Sequence, residues 1–212
     1  MKLLLFLWLP KEQNLNKICL MFKNFTYQLC RLIIVPAFRL YYQPEIVGKK
    51  NIPDKGRVIL AGNHKHALDP IFVDICTKRT VHALAKSELF EGPFAFFFKS
   101  IGAIPVYLEA RNNPEAYRKA KEVLLNDQVI NISPEAARNY TEQILLPFKS
   151  GAVRLAKETG TAIVPYCIKG NYRFLSKDLK IVFGEPLKID EDDMSEANGR
   201  LYNVIERMLL EN

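Results

Sequence analysis

The stretch Val58-Ile59-Leu60-Ala61-Gly62-Asn63-His64-Lys65-His66-Ala67-Leu68-Asp69-Pro70-Ile71-Phe72-Val73-Asp74-Ile75-Cys76-Thr77 reads as a strand, a polar turn and a helix. Val58–Ala61 is a short apolar run that fits a strand. Asp69-Pro70 sets a capping residue ahead of a proline, which predicts a helix over Ile71–Thr77. A strand that feeds a helix is the repeating unit of α/β folds, so this segment decides the class. His64 and Asp69 lie five residues apart just past the strand's end, where such folds place their sites.

The same alternation extends in both directions. Further strands are expected at Val81–Ala85, Ala103–Tyr107, Val129–Ile132, Ala162–Ile168 and Lys180–Phe183. Between them, Asn113-Pro114 opens a helix over Glu115–Leu125 with Tyr117, Ala120 and Leu124 on its inner face. A helix over Lys149–Glu158 stops at Gly160, a left-handed terminator. A last helix, about Glu196–Leu210, buries Leu201, Val204, Ile205 and Met208, and the acidic run Asp190–Asp193 before it reads as a solvated loop. Residues 45–212 therefore form one α/β domain, a mixed central sheet flanked by helices. At 212 residues and 24.4 kDa the chain suits one domain, two at most.

Residues 1–44 read differently. Residues 1–50 hold eight lysines and arginines against Glu12 and Glu45, and so six of the chain's seven net positive charges. A basic quarter on a near-neutral body calls for an anionic partner. Leu15, Ile18, Cys19, Phe22, Phe25, Leu29 and Ile33 recur at helical spacing, with Asn16, Lys17, Asn24, Gln28 and Arg31 on the opposite side. Before them runs Leu3–Leu9, ended by Pro10, and after them Leu32–Val35, broken by Pro36. Neither apolar run reaches the ~20 residues of a membrane span. The first also lacks the cleavage site of a secretory signal. An aromatic, cationic, amphipathic segment fits the headgroup plane of a membrane, peripheral or monotopic, with anionic lipids as partners. The same stripe could instead pack on the body with its charged side in water. Nucleic acid fits less well, because it calls for stacking aromatics among clustered cations rather than a Leu/Ile/Phe stripe.

Several chemistries lose their usual signals. The sequence has no G-x-S-x-G, no G-x-G-x-x-G and no G-x-x-x-x-G-K-[ST]. Cys19, Cys30, Cys76 and Cys167 are dispersed, which argues against a disulfide framework and fits a reducing compartment. Three histidines without clustered partners give a metal site no support, and no cofactor is expected. What remains is His64 with Asp69. On spacing alone, Asp69 serves either as a helix cap or as the imidazole's partner. His66 and His82 read as structural.

Three further blocks follow in order: Gly102-Ala103-Ile104-Pro105-Val106-Tyr107-Leu108-Glu109-Ala110-Arg111, Ser133-Pro134-Glu135-Ala136-Ala137-Arg138 and Ile163-Val164-Pro165-Tyr166. With Asn63–Asp69 they resemble the glycerolipid acyltransferases of the 1-acylglycerol-3-phosphate type, over about residues 46–187. Ala85–Phe90, Pro147–Ala152 and Phe183–Pro186 look like that family's connecting segments. The resemblance implies transfer of a fatty acyl chain from a CoA or acyl-carrier-protein thioester to the free hydroxyl of 1-acylglycerol 3-phosphate, giving phosphatidic acid on the cytoplasmic face of a membrane. An alcohol is a poor nucleophile, and His64, oriented by Asp69, suits the base that takes its proton. The resemblance places acceptor binding at Arg111 and Arg138, with Glu135 beside them and Lys86 as a further candidate. Guanidinium groups grip phosphate in a bidentate fork. Each arginine also has a plain alternative, an ion pair with Glu109 or Glu115 for Arg111 and with Glu142 for Arg138. The aromatic run Phe94, Phe96, Phe97 and Phe98 lines an acyl path or packs in the core.

The sequence departs from the family pattern at one block. Ser133-Pro134-Glu135-Ala136-Ala137-Arg138 stands where the pattern has Phe-Pro-Glu-Gly-Thr-Arg. Loss of the glycine removes easy access to positive φ, and loss of the threonine removes a hydroxyl. A changed loop and another lysophospholipid acceptor are the expected consequences. Arg111 also follows a longer spacing than the compact pattern. Two other readings stay open, a thioesterase and a catalytically silent membrane-binding homologue.

Overall fold

Apolar residues alternate along the central strands, and each alternate set faces its own layer of helices. The computed structural model describes residues 11–93, 95–107 and 113–211, with side chains in the first helix from Tyr27 onward. The strands are β1 (Glu45–Val47), β2 (Val58–Gly62), β3 (Val81–Lys86), β4 (Ile104–Val106), β5 (Val129–Ile132), β6 (Ile163–Lys169) and β7 (Lys180–Phe183). The helices are α1 (Lys11–Tyr42), α2 (Asp69–Ile75), α3 (Ala95–Ser100), α4 (Pro114–Leu125), α5 (Gly151–Thr159) and α6 (Met194–Leu210).

One mixed sheet runs β1-β7-β6-β2-β5-β3-β4. The β6–β7 pair is antiparallel and the other neighbours are parallel. On β2, Ile59 and Ala61 join Ile130, Ile132 and Ile163 in a core closed by α4, α5 and α6. Val58 and Leu60 join Val129, Val164 and Tyr166 in a second core, closed by α2 and the end of α1. The expected α/β domain with a mixed sheet and flanking helices is the fold observed. β1 was not foreseen, because three residues at a sheet edge leave no periodicity to read.

Helix ends follow their chemistry, with two changes. α5 stops at Gly160, whose φ of 61° a side chain would resist. Asp193 is more than loop filling, since its carboxylate accepts the Ser195 N–H at 2.7 Å and opens α6. Asp69 is the first residue of α2, and its side chain makes no cap bond.

α1 differs most from expectation. It passes through Pro36 instead of breaking there. A proline inside a helix removes one backbone bond, and here Phe38 and Tyr42 beyond it are anchored against Phe72 and Tyr172. Arg31, expected on the solvent side, turns inward and pairs with Asp74 at 3.3 Å. It also donates to the carbonyls of Thr77 and Arg79. Tyr27 is buried beside it and donates to Asp74. The inner face of α1 is thus part of the domain's core, although the segment ends where β1 begins. The outer face carries Leu29, Leu32, Ile33, Pro36 and Leu40, with Leu32 74% and Ile33 68% exposed. The side chains before Tyr27, and Leu3–Leu9, lie outside the described residues.

Candidate active site

The carboxyl ends of β2, β5 and β6 meet at one edge of the sheet. The chain leaves β2 at Gly62, where any side chain would stand 2.3 Å from the ring of Tyr166. Asn63 follows, and its amide imitates a strand residue: Oδ1 accepts the Ile168 N–H at 2.8 Å and Nδ2 donates to the Ile168 carbonyl at 3.1 Å. This clamp to β6 fixes where His64 emerges.

The turn then folds back on itself. Asp69 Oδ2 accepts the backbone N–H groups of Lys65 at 2.7 Å and His66 at 2.8 Å, and faces His64 Nδ1 at 2.9 Å. A helix-opening carboxylate that gathers two peptide donors and a ring explains why five residues separate the pair. Oδ1 accepts the Tyr172 hydroxyl at 2.6 Å. An ionised carboxylate only accepts, so the proton between the two residues sits on Nδ1 and leaves Nε2 with its lone pair. Asp69 is 1% exposed, whereas the His64 side chain retains 22%. An open cavity of about 360 Å³ adjoins them, lined by His64, Lys65, Glu135, Asn139, Gln143 and Lys169 among others.

Glu135 is brought to the same place but is engaged elsewhere. Its Oε1 accepts the His64 N–H and its Oε2 the Leu146 N–H, both at 2.8 Å. Burial raises its pKa, against the lowering effect of those two donors. Glu135 therefore ties the His64 turn to the loop before α5. On the far side, the Asn139 N–H donates to the His64 carbonyl at 2.8 Å. Arg138 is the neighbouring residue; its guanidinium lies 5.3 Å over the Tyr140 ring and makes no ion pair among the described residues. Lys86, at the end of β3, pairs with Glu88 at 2.8 Å and does not line the cavity. Arg111, Glu109 and Phe94 lie outside the described residues. Phe96, on α3, is 73% exposed rather than packed in the core.

The altered loop keeps the geometry that the missing glycine would favour. Ala136 adopts φ 56°, in the left-handed region. His66 stacks on Tyr172 with ring centroids 4.3 Å apart, and His82 Nδ1 sits 2.8 Å from the Gly102 carbonyl. Among the described residues no cluster could hold a metal ion. Sequence reading missed Tyr172, which stands 103 positions from Asp69 with no spacing to betray it. It also passed over Asn63, which directly precedes His64.

An imidazole oriented by a buried carboxylate, at the carboxyl edge of an α/β sheet and open to a cavity, is the equipment of an enzyme that moves protons. The family model for Acyltransferase matches residues 43–169, more than half of the chain, and the chain belongs to that family. A 1-acyl-sn-glycerol-3-phosphate acyltransferase of Borreliella burgdorferi is 32% identical over 146 residues, which is 68% of this chain and 57% of that protein. One from Saccharomyces cerevisiae is 29% identical over 142 residues, 62% of this chain and 45% of that protein. The chain thus spans about half the length of these relatives. The crystal structure of the 1-acyl-sn-glycerophosphate acyltransferase PlsC from Thermotoga maritima shares the fold, with TM-score 0.62 and 22% identity, covering 96% of this chain and 83% of that one.

Proposed function

We propose that this protein moves a fatty acyl chain from a CoA or acyl-carrier-protein thioester to the free hydroxyl of 1-acylglycerol 3-phosphate, giving phosphatidic acid. The observation that carries the reading is the His64 Nδ1–Asp69 Oδ2 contact of 2.9 Å beside an open cavity. His64 Nε2 takes the acceptor's hydroxyl proton as that oxygen attacks the thioester carbonyl carbon. The C–S bond breaks as the new C–O bond is completed, and the imidazolium returns the proton to the departing thiolate. Asp69 holds the tautomer and offsets the charge that forms on the ring. Because the thioester is already activated, no acyl-enzyme is required. Relatives named for this acceptor support the substrate.

The acceptor's phosphate is assigned to Arg111 and Arg138, with Lys86 near the sheet edge, while Glu135 braces the turn. The protein works on the cytoplasmic face of a membrane as a peripheral or monotopic enzyme, where its lipid acceptor resides. The exposed stripe Leu29, Leu32, Ile33 and Leu40 on α1, bordered by Arg39, supports this placement. No helix among the described residues is long and apolar enough to cross a membrane.

Ala136 and Ala137 favour a second reading, in which the acceptor is another lysophospholipid. A screen of purified protein with acyl-CoA or acyl carrier protein and a panel of lysophospholipids, read by mass spectrometry of the lipids, decides. Phosphatidic acid as the main product supports the proposal. Another diacyl lipid in its place transfers the reading to that acceptor. Free fatty acid without acceptor would indicate a thioesterase, and no product with any donor a silent homologue.

A further inference from the structure

Asp69 has two carboxylate oxygens, and one of them is devoted to the His64 turn. The other accepts a hydrogen bond from Tyr172, which comes from the loop after β6. That loop is tightly built. Gly170 adopts φ 71° where any side chain would stand 1.9 Å from the Asp178 carbonyl, and Asp178 Oδ2 accepts the Asn171 N–H at 2.9 Å. The Lys65 ammonium donates to the Gly170 carbonyl, tying the loop to the His64 turn a second time.

The ring of Tyr172 is gripped from both sides. His66 stacks on it at an interplanar angle of 22°, and Tyr42 meets it edge-on with centroids 5.5 Å apart. Phe38 and Phe72 close the cage at 6.3 and 6.4 Å. The end of α1 also holds the loop directly, because the Leu175 N–H donates to the Tyr41 carbonyl at 2.8 Å and Phe174 packs on Tyr41. Burial, and then the charge on Asp69, push the Tyr172 phenol far up, so its hydroxyl stays protonated and donates.

We propose that Tyr172 is a positioning residue for the His64–Asp69 pair, aimed by the last turn of α1. The inference rests on the acyl-transfer reading of that pair. With Oδ1 tied to the phenol, the carboxylate cannot rotate about its χ2 bond, and Oδ2 stays in line with His64 Nδ1.

The test is Tyr172→Phe, which removes one hydroxyl and keeps the ring. A fall in kcat of about tenfold is expected, the worth of one hydrogen bond to a charged group, with KM for donor and acceptor nearly unchanged. The acid limb of the kcat/KM profile moves to higher pH, because the released carboxylate holds a proton on the imidazole more firmly. In an Asp69→Asn background the same substitution should cost little more, since residues that act through one another are not additive. A rate and pH profile matching the wild type would overturn the proposal. So would a loss that only follows a lowered melting temperature, or one that multiplies fully with Asp69→Asn. If Tyr172→Phe does not fold, Tyr172→Met, which also removes the hydroxyl and fills part of the ring's space, is held to the same criteria. Wild-type protein inert with every donor would end the acyl-transfer reading instead. The downfield proton resonance of the His64–Asp69 bond, which needs no turnover, would then decide alone: a shift in Tyr172→Phe supports the positioning role, and an unmoved resonance refutes it.

Discussion

Ala136 holds φ 56° without the freedom of a glycine. For a residue with a Cβ, that conformation costs about 1 kcal/mol. It is kept because the segment before it is fixed: the Ala136 N–H donates to the Ser133 carbonyl at 2.9 Å, and Glu135 is bonded through both oxygens. Ala136→Gly should therefore stabilise the protein by about 1 kcal/mol, read as a higher denaturant midpoint; a midpoint that stays or falls would show the loop to be unstrained. The sequence made the glycine's loss visible and suggested a changed loop. It could not reveal that the surrounding hydrogen bonds hold a left-handed conformation at Ala136. Tyr172 was hidden for a similar reason, since only the folded chain brings it to Asp69.

At the scale of elements, two contacts set how the outer pieces join the sheet. α1 is clamped to α2 by Arg31, Tyr27 and Asp74, all half-buried or buried. Burial raises the pKa of Asp74, against the opposing effects of Tyr27 and Arg31. Arg31→Ala should cost about 2–3 kcal/mol in chemical denaturation, because it leaves a carboxylate half-buried without its cation; a loss within error would place Arg31 among surface ion pairs. At the other edge, His82 on β3 donates from Nδ1 to the Gly102 carbonyl, and burial lowers its pKa from the ordinary 6.5. The unfolded chain then binds the proton first, so the stability His82 contributes is present above about pH 6.5 and is lost as pH falls toward its depressed value. His82→Asn keeps an N–H donor and cannot titrate. Its stability should change less than the wild type's between pH 7 and 5, and an identical slope would contradict the account. Strand positions were legible because short apolar runs such as Val58–Ala61 stand between turn and helix signals. The inward turn of Arg31 was not, since helical periodicity shows that a face exists but not which neighbour covers it.

The whole molecule has an apolar stripe on α1 that nothing among the described residues covers, on the same helix whose inner face builds the core. Basic and aromatic composition made an amphipathic segment readable from the sequence; that its two faces serve core and exterior together was visible only in the fold. Leu32→Ser with Ile33→Ser should lower affinity for anionic vesicles at least about tenfold, since burying each such side chain is worth about 1.5–3 kcal/mol. The melting temperature should stay unchanged, because both side chains are exposed. Equal vesicle binding would move the contact elsewhere. The most direct test of the chemistry is acyl transfer to 1-acylglycerol 3-phosphate by the wild type and by His64→Ala on the same vesicles. A loss of at least about a hundredfold, the usual worth of a positioned base, is predicted with the fold intact, whereas transfer kept within a few-fold of the wild type would contradict the account.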